Sequence, residues 1–229
     1  MRKLTVLSLG GSIIAPAEVD TLFLAGFVDL IMEKVTQGER FIIVTGGGGP
    51  ARAYQAAYRV VAKTHSNDAQ DWIGITATRL NAQLVKALFA DLCVDPVVCD
   101  PTGKIDFTGS VLVAAGWKPG FSSDYDAVLL AERFGAETLI NLSNINRVFS
   151  ADPKEDPQAT PYDTLTWEEM RSLVGDQWVP GKNTPFDPVA ARKATALRLQ
   201  VVIAAGKDLE NLNALLAGKP FVGTRIGPD

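Results

Sequence analysis

Apolar and polar positions along the chain alternate between two kinds of pattern. Leu4–Leu9 is an apolar and β-branched run that stops at Gly10-Gly11, and Phe41–Thr45 is a second, stopped by Gly46–Gly49. Short apolar runs bounded by glycine predict buried strands. Between them, Asp20–Gln37 has helical spacing, and Pro50 suits the first position of a helix reaching about Lys63. Ile73, Ala77, Leu80, Leu84 and Leu88 recur three or four positions apart, which predicts a long helix over Trp72–Asp91. Further strands are predicted at Val97–Cys99, Val111–Ala115, Thr138–Leu142, Val201–Ala205 and Phe221–Ile226. Helices are predicted at Asp124–Phe134, Phe186–Leu199 and Leu209–Leu216. Ala151–Pro161, rich in Asp and Pro, reads as a turn-dense loop.

This alternation predicts an α/β fold: a mainly parallel central sheet between two helical layers. Ligands of such sheets bind beyond the carboxyl ends of the strands. Three glycine-rich segments fall there: Gly10–Ser12, Gly46–Gly49 and Gly116–Ser123. A fourth, around Pro180-Gly181, precedes a helix. No internal repeat or long linker is visible, so the chain reads as one domain.

Composition narrows the function classes. The 229 residues are 47% hydrophobic and 21% charged, with net charge −4 and both signs scattered. No basic stripe suggests a nucleic-acid groove. Apolar runs such as Val111–Ala115 are too short to span a bilayer, and Met1–Leu9 has no signal-peptide core. The expectation is a cytoplasmic protein without membrane or nucleic-acid partners. Cys93 and Cys99 offer no disulfide framework or zinc pattern, and His65, the one histidine, lies in a polar stretch without partners for a triad.

Candidate chemistry follows from the glycines. Gly46–Gly49 with Pro50 places flexible backbone between a strand and a helix, where exposed N–H groups and the helix dipole favour an anion. Four glycines exceed what a turn needs. Arg52, in the first helical turn, can lean back toward a phosphate held there. Gly10-Gly11-Ser12 repeats the arrangement, and two anion turns at one sheet edge suit a phosphoryl donor and an acceptor. Neither a Walker loop nor a dinucleotide fingerprint is present. Ser122-Ser123-Asp124, with Asp126 three residues after Ser123, reads either as a capping box or as a phosphate site in which Asp124 orients cations or Mg²⁺. Lys118 stands close enough in sequence to neutralise a moving phosphoryl group. Asp71 reads as an N-cap or first-turn charge, or as a ligand contact.

Several of these segments together resemble the amino-acid-kinase superfamily, and within it the archaeal-type UMP kinases. They are Gly10-Gly11-Ser12, the Gly46–Arg52 loop, Asp71-Trp72-Ile73-Gly74-Ile75 followed by Thr78-Arg79-Leu80-Asn81-Ala82, Pro119–Asp124, Ser150–Pro153, Asp187–Ala191 and Gly223-Thr224. The resemblance implies a three-layer αβα sandwich over residues 1–229, with an acceptor-binding part to about 140 and an ATP-binding part from about 141. It implies ATP-dependent phosphorylation of UMP with Mg²⁺, and a homohexamer built as a trimer of dimers. By position, Ser8, Leu9, Gly10, Gly11, Ser12 and Gly48 would face the ATP phosphates. Ser143, Asn144, Phe149 and Asp152 would line the ATP nucleoside pocket. Gly47, Asp71 and the Trp117, Lys118, Pro119, Gly120, Phe121, Ser122, Ser123 loop would hold UMP. Arg52 would lie between donor and acceptor, Asp124 would be the organising carboxylate, and Lys182 is a second candidate cation. Ser8 stands where many members carry lysine, and Asn144–Phe149 departs from the common Asn-Val-Asp-Gly-Val-Tyr. Another small acceptor, or non-catalytic nucleotide binding, are the alternative readings.

Overall fold

The computed structural model describes residues 3–175 and 184–227. The first half runs β1 (Leu4–Leu9), α1 (Gly11–Ile14), α2 (Thr21–Thr36), β2 (Arg40–Thr45), α3 (Gly48–Val61), α4 (Asn67–Phe89), β3 (Val111–Ala114) and α5 (Ser123–Phe134). The second runs β4 (Thr138–Ser143), β5 (Val148–Phe149), β6 (Pro161–Tyr162), β7 (Thr164–Thr166), α6 (Trp167–Val174), α7 (Pro188–Leu197), β8 (Gln200–Ala205), α8 (Leu209–Leu216) and β9 (Thr224–Gly227).

Seven strands form one sheet in the order β3-β2-β1-β4-β8-β9-β7, and β5 and β6 make a separate antiparallel pair. From β3 to β8 all pairs are parallel; only β9 runs antiparallel to β8. Chain order proceeds outward from the β1/β4 seam through β2 to β3 on one side and through β8 to β9 on the other, where the earlier strand β7 is added at the edge. That seam is the switch point where ligands of open α/β sheets bind.

The period-two alternation of the strands supplies both cores. Leu7, Leu9, Phe41, Ile43, Ile140 and Leu142 pack on one face against α1, α2, α4 and α8. Val6, Ile42, Val44, Leu139, Val201 and Ile203 pack on the other against α5, α6 and α7. Ser8 and Asn141 occupy buried positions on this second face, and they are register partners across the β1/β4 seam. Two polar residues side by side in an apolar layer mark where the site begins.

The structure moves several expected boundaries. The helix expected from Pro50 begins at Gly48, inside the glycine run. The Trp72 helix begins at Asn67, capped by the Ser66 hydroxyl, so Asp71 lies within the helix and is neither N-cap nor first-turn residue. Val97–Cys99 contributes only a bridge between Val98 and Ala114. The Phe186 helix starts at Pro188 behind an Asp187 cap, and the last strand starts at Thr224. β7 and α6 were not anticipated, although Thr166 and Glu169 form a full capping box before α6. Ser122, not Ser123, caps α5: its hydroxyl accepts from Tyr125 N, and Asp126 is not part of a capping box. Pro180-Gly181 and Lys182 lie outside the described residues.

Candidate active site

Three loops leave the carboxyl ends of the adjacent strands β1, β2 and β3, and two of them interlock. A Cβ on Gly11 would sit 2.1 Å from Gly48 N, one on Gly46 would sit 2.4 Å from Gly11 N, and one on Gly48 would sit 2.2 Å from Gly11 O. Gly48 also has φ +65°, a conformation that side-chain-bearing residues seldom adopt. Gly49 is pressed against Pro16 O in the same way. The excess of glycine therefore has a steric cause that needs no ligand: two turns cross backbone to backbone. The consequence for chemistry is nonetheless an anion cradle. Gly49 N is used internally, donating to Ala15 O at 2.7 Å. The N–H groups of Gly11, Ser12, Gly47 and Gly48 make no hydrogen bond among the described residues. They belong to two helix starts facing one another.

Arg52 joins the same place. Its guanidinium donates to Ser12 Oγ at 2.9 Å and to Pro16 O at 2.8 Å, so it bridges the two turns from α3. It is exposed, and these are its hydrogen bonds among the described residues.

Helix α4 locks these loops in position. Buried Asn81 donates to Gly46 O at 2.7 Å, and Thr45 Oγ1 donates to Thr78 O at 3.0 Å. Thr78 Oγ1 accepts from Gly116 N at 2.8 Å, and Arg79 donates to Trp117 O at 3.0 Å. Asp71 accepts from Gly120 N at 3.0 Å. One face of α4 thus holds the Gly46 turn and the Gly116–Phe121 loop at a set separation. The cleft between them, about 280 Å³, is bordered by Gly47, Gly48, Ala51, Arg52, Gln55, Asp71, Gly74, Ile75, Thr78, Gly116, Phe121 and Ser123.

The floor of the switch point carries a carboxylate. Asp124, in the first turn of α5, accepts from Ser8 Oγ and Asn141 Nδ2, both at 3.1 Å, and from Asp187 N at 3.3 Å. It keeps some solvent contact, but the protein around its carboxylate is dense. Burial and the neighbouring Asp187 charge push its pKa up to about 6, against the hydrogen bonds from Ser8 and Asp187 N. Asp126, one step along the same helix, is pushed up to about 7, chiefly by burial and further by Asp124 and Asp100; its bond from Trp117 N opposes this.

Residues 3–205 match the model of the amino acid kinase family. The chain belongs to that family. A uridylate kinase of Methanospirillum hungatei is 34% identical over 225 residues, covering 96% of this chain and 93% of the relative. One of Thermoplasma volcanium is 33% identical over 228 residues, covering 99% and 98%. The crystal structure of a uridylate kinase from Archaeoglobus fulgidus superposes with a TM-score of 0.82 at 33% identity, covering 99% of this chain and 100% of that one. A UMP kinase from Bacillus anthracis shares the fold at 18% identity, with a TM-score of 0.78.

Within this amino acid kinase fold the candidate residues divide. Gly47, Gly48, Arg52, Asp71, Phe121 and Ser123 border one cleft. Ser8 and Asp124 meet at the seam, and Leu9–Ser12 form the crossing turn. Lys118 is turned to the aromatic side chains, with Nζ 3.8 Å from the Trp117 ring centre and 5.3 Å from that of Phe121. Ser143 ends β4 and Asn144 follows it. Phe149 lies in the β5–β6 pair, and exposed Asp152 accepts from Lys154 N; none of these four borders the cleft. Sequence reasoning assigned no role to Ser8 hydroxyl and Asn141 as joint partners of Asp124, nor to Thr78, Arg79 and Asn81 as braces. Ser8 and Asn141 carried a signal, as polar residues in strands whose pattern called for burial; on α4 the apolar spacing through Leu80 and Leu88 pointed to an exposed face, while the helix buries Ile75, Thr78, Asn81, Ala82, Val85 and Phe89.

Proposed function

We propose that the chain is a uridylate kinase, transferring the γ-phosphoryl group of ATP to UMP to give ADP and UDP. The observation that carries this reading is the pair of crossed glycine turns, with free N–H groups on both, beside a cleft closed by Asp71 and the Gly116–Phe121 loop. It agrees with the full-length relatives at about a third identity.

Phosphoryl transfer asks the protein for in-line placement and charge neutralisation, with little covalent chemistry. The N–H groups of Gly11 and Ser12 would hold donor phosphates, and those of Gly47 and Gly48 the phosphate of UMP. Arg52, already bonded to Ser12, would move only slightly to reach both. A UMP phosphate is ionised near neutral pH, so no general base is needed. Asp71 and Phe121 would contact the uridine side of the cleft. Ser143, Asn144, Phe149 and Asp152, from the part of the chain after about residue 140, would take the ATP nucleoside.

The described residues hold no group of three or more acidic, histidine or cysteine side chains that could bind a metal. Mg²⁺ arriving on nucleotide phosphates would ask the protein for only one or two carboxylates. Asp124 suits that part: its carboxylate is disfavoured by burial and by Asp187, and a nearby cation would favour its charged form. When bound, Mg²⁺ would offset charge on the transferred group. A homo-oligomer, a hexamer arranged as a trimer of dimers, completes the reading. No helix of the described residues is long and apolar enough to cross a membrane.

The test is ADP release, coupled and confirmed by chromatography of UDP, at saturating Mg·ATP with UMP, CMP, acetylglutamate or isopentenyl phosphate as acceptor. UMP should be preferred. Turnover on another acceptor alone would replace UMP, and binding of both nucleotides without turnover would make the chain a non-catalytic binder.

A further inference from the structure

The carboxylate of Asp126 is used by nothing in the mechanism above, yet it is the most buried acid near the site, 1% exposed. Its Oδ2 accepts from Trp117 N at 3.1 Å. Its Oδ1 has no hydrogen-bond partner among the described residues. The acids around it are Asp124 on its own helix and Asp100 on the turn after Cys99, and Lys118 acts on Asp100 only as a distant charge. A half-satisfied, desolvated carboxylate beside two like charges weakens the folded state. An exposed first-turn acid would serve the dipole of α5 without that cost, so stability does not explain the residue.

What Asp126 does hold is the Gly116–Phe121 loop. Trp117 is gripped on both sides of its backbone: its N–H by Asp126 and its carbonyl by Arg79, at 3.0 Å. Three residues later Gly120 N is held by Asp71. The Trp117 ring stacks at 5.0 Å on Phe121, which borders the cleft. Among the described residues Asp126 is thus the one hydrogen-bonding anchor of this loop that comes from α5, the helix that also carries Ser123 and Asp124 and whose Tyr125 ring packs on Phe121 at 4.9 Å.

We propose that Asp126 is a positioning residue for the acceptor: it ties the Gly116–Phe121 loop to α5, so that the wall contacting UMP and the Asp124 carboxylate keep a set spacing. This rests on the uridylate kinase reading. An amide offers one acceptor oxygen where the carboxylate offers two, so asparagine holds the Trp117 N–H less well, and alanine does not hold it at all.

The experiment compares the full-length Asp126→Asn and Asp126→Ala proteins with wild type at pH 8. KM for UMP should rise about threefold in the first and about tenfold in the second, with kcat within threefold and KM for ATP within twofold. Hydrogen-exchange mass spectrometry without ligand should show faster exchange across Gly116–Phe121, most in the alanine protein. The split between a raised KM for UMP and a nearly unchanged kcat is the readout that a merely structural role would not produce. Unchanged KM for UMP with unchanged exchange, or a fall in kcat with KM unaltered, overturns the proposal. If alanine prevents folding, the asparagine protein carries the comparison. Should wild type make no UDP, the functional reading fails by itself, and exchange across the loop still decides whether Asp126 anchors it.

Discussion

Asp124 and Asp126 stand two positions apart on one helix, and burial raises the pKa of both, to about 6 and about 7. Each binds its proton more tightly in the folded than in the unfolded chain. The folded state is therefore favoured below the unfolded pKa and loses that advantage as pH rises through the folded values. Between pH 5.5 and pH 8, wild type should lose on the order of 2 kcal/mol through Asp126. Urea midpoints at the two pH values measure it, and Asp126→Asn should flatten the slope; equal slopes would show that Asp126 ionises as an ordinary surface acid. Asp20, Asp95, Asp100 and Glu169 shift the other way, downward, and act below this window. Arg52 makes the opposite case, an exposed charge with a local task. Arg52→Ala should lower kcat/KM by roughly 10- to 100-fold, through loss of a charge-assisted contact. Tm should barely move. A large drop in Tm with normal kinetics would make the Ser12 and Pro16 bonds a structural brace only.

At the scale of elements, α4 organises the site. It runs beneath two loops and bonds to both, through Asn81 to the Gly46 turn and through Thr78 and Arg79 to Gly116 and Trp117. Asn81 is 3% exposed, so removing its amide leaves a buried carbonyl without its donor. Asn81→Ala should cost about 1–3 kcal/mol, read from urea unfolding. It should also weaken binding of both nucleotides, because the Gly46 turn it holds crosses the Gly11 turn. A cost under about 0.5 kcal/mol would mean that the crossed glycines hold themselves. Their packing explains why helix α3 begins earlier than Pro50 suggests: the helix start is set by where the turns meet, and Pro50 merely falls inside the first turn.

Among the described residues, half of the exposed large apolar side chains lie on one pair of packed helices, with Leu22 on α2 the most exposed of the rest. Val60 and Val61 are 85% and 80% exposed, Tyr54 73%, Leu80 65% and Trp72 46%, all on α3 and α4. Concentrated exposure of this kind marks an interaction surface. Light scattering after size exclusion should give a mass that is a multiple of 24.5 kDa, and Leu80→Asp should shift it toward smaller species. Wild type at the monomer mass would remove the oligomer from the proposal.

The sheet, its two helical layers and the loops carrying the site were legible from the chain alone. Strand-length runs that are apolar at nearly every position can only be satisfied by burial on both faces, and glycine at their carboxyl ends permits few backbones other than tight turns. The Asp124, Arg52 and Asp71 candidates came from local spacing and resemblance, and all lie at or beside the site. Other features depended on partners far apart in sequence. Ser8 and Asn141 became a pair only when β1 and β4 aligned in parallel register, 133 positions apart in number. The four glycines had a steric cause visible only once Gly11 met Gly48. Asp126 looked like one member of a capping box until folding buried it against Trp117, where desolvation raised its pKa and the loop took its oxygen. Local pattern determines which elements form, because their hydrogen bonds close within a few residues or along a strand. Which polar groups share a dry space is decided by the tertiary fold, because only there are they stripped of water together.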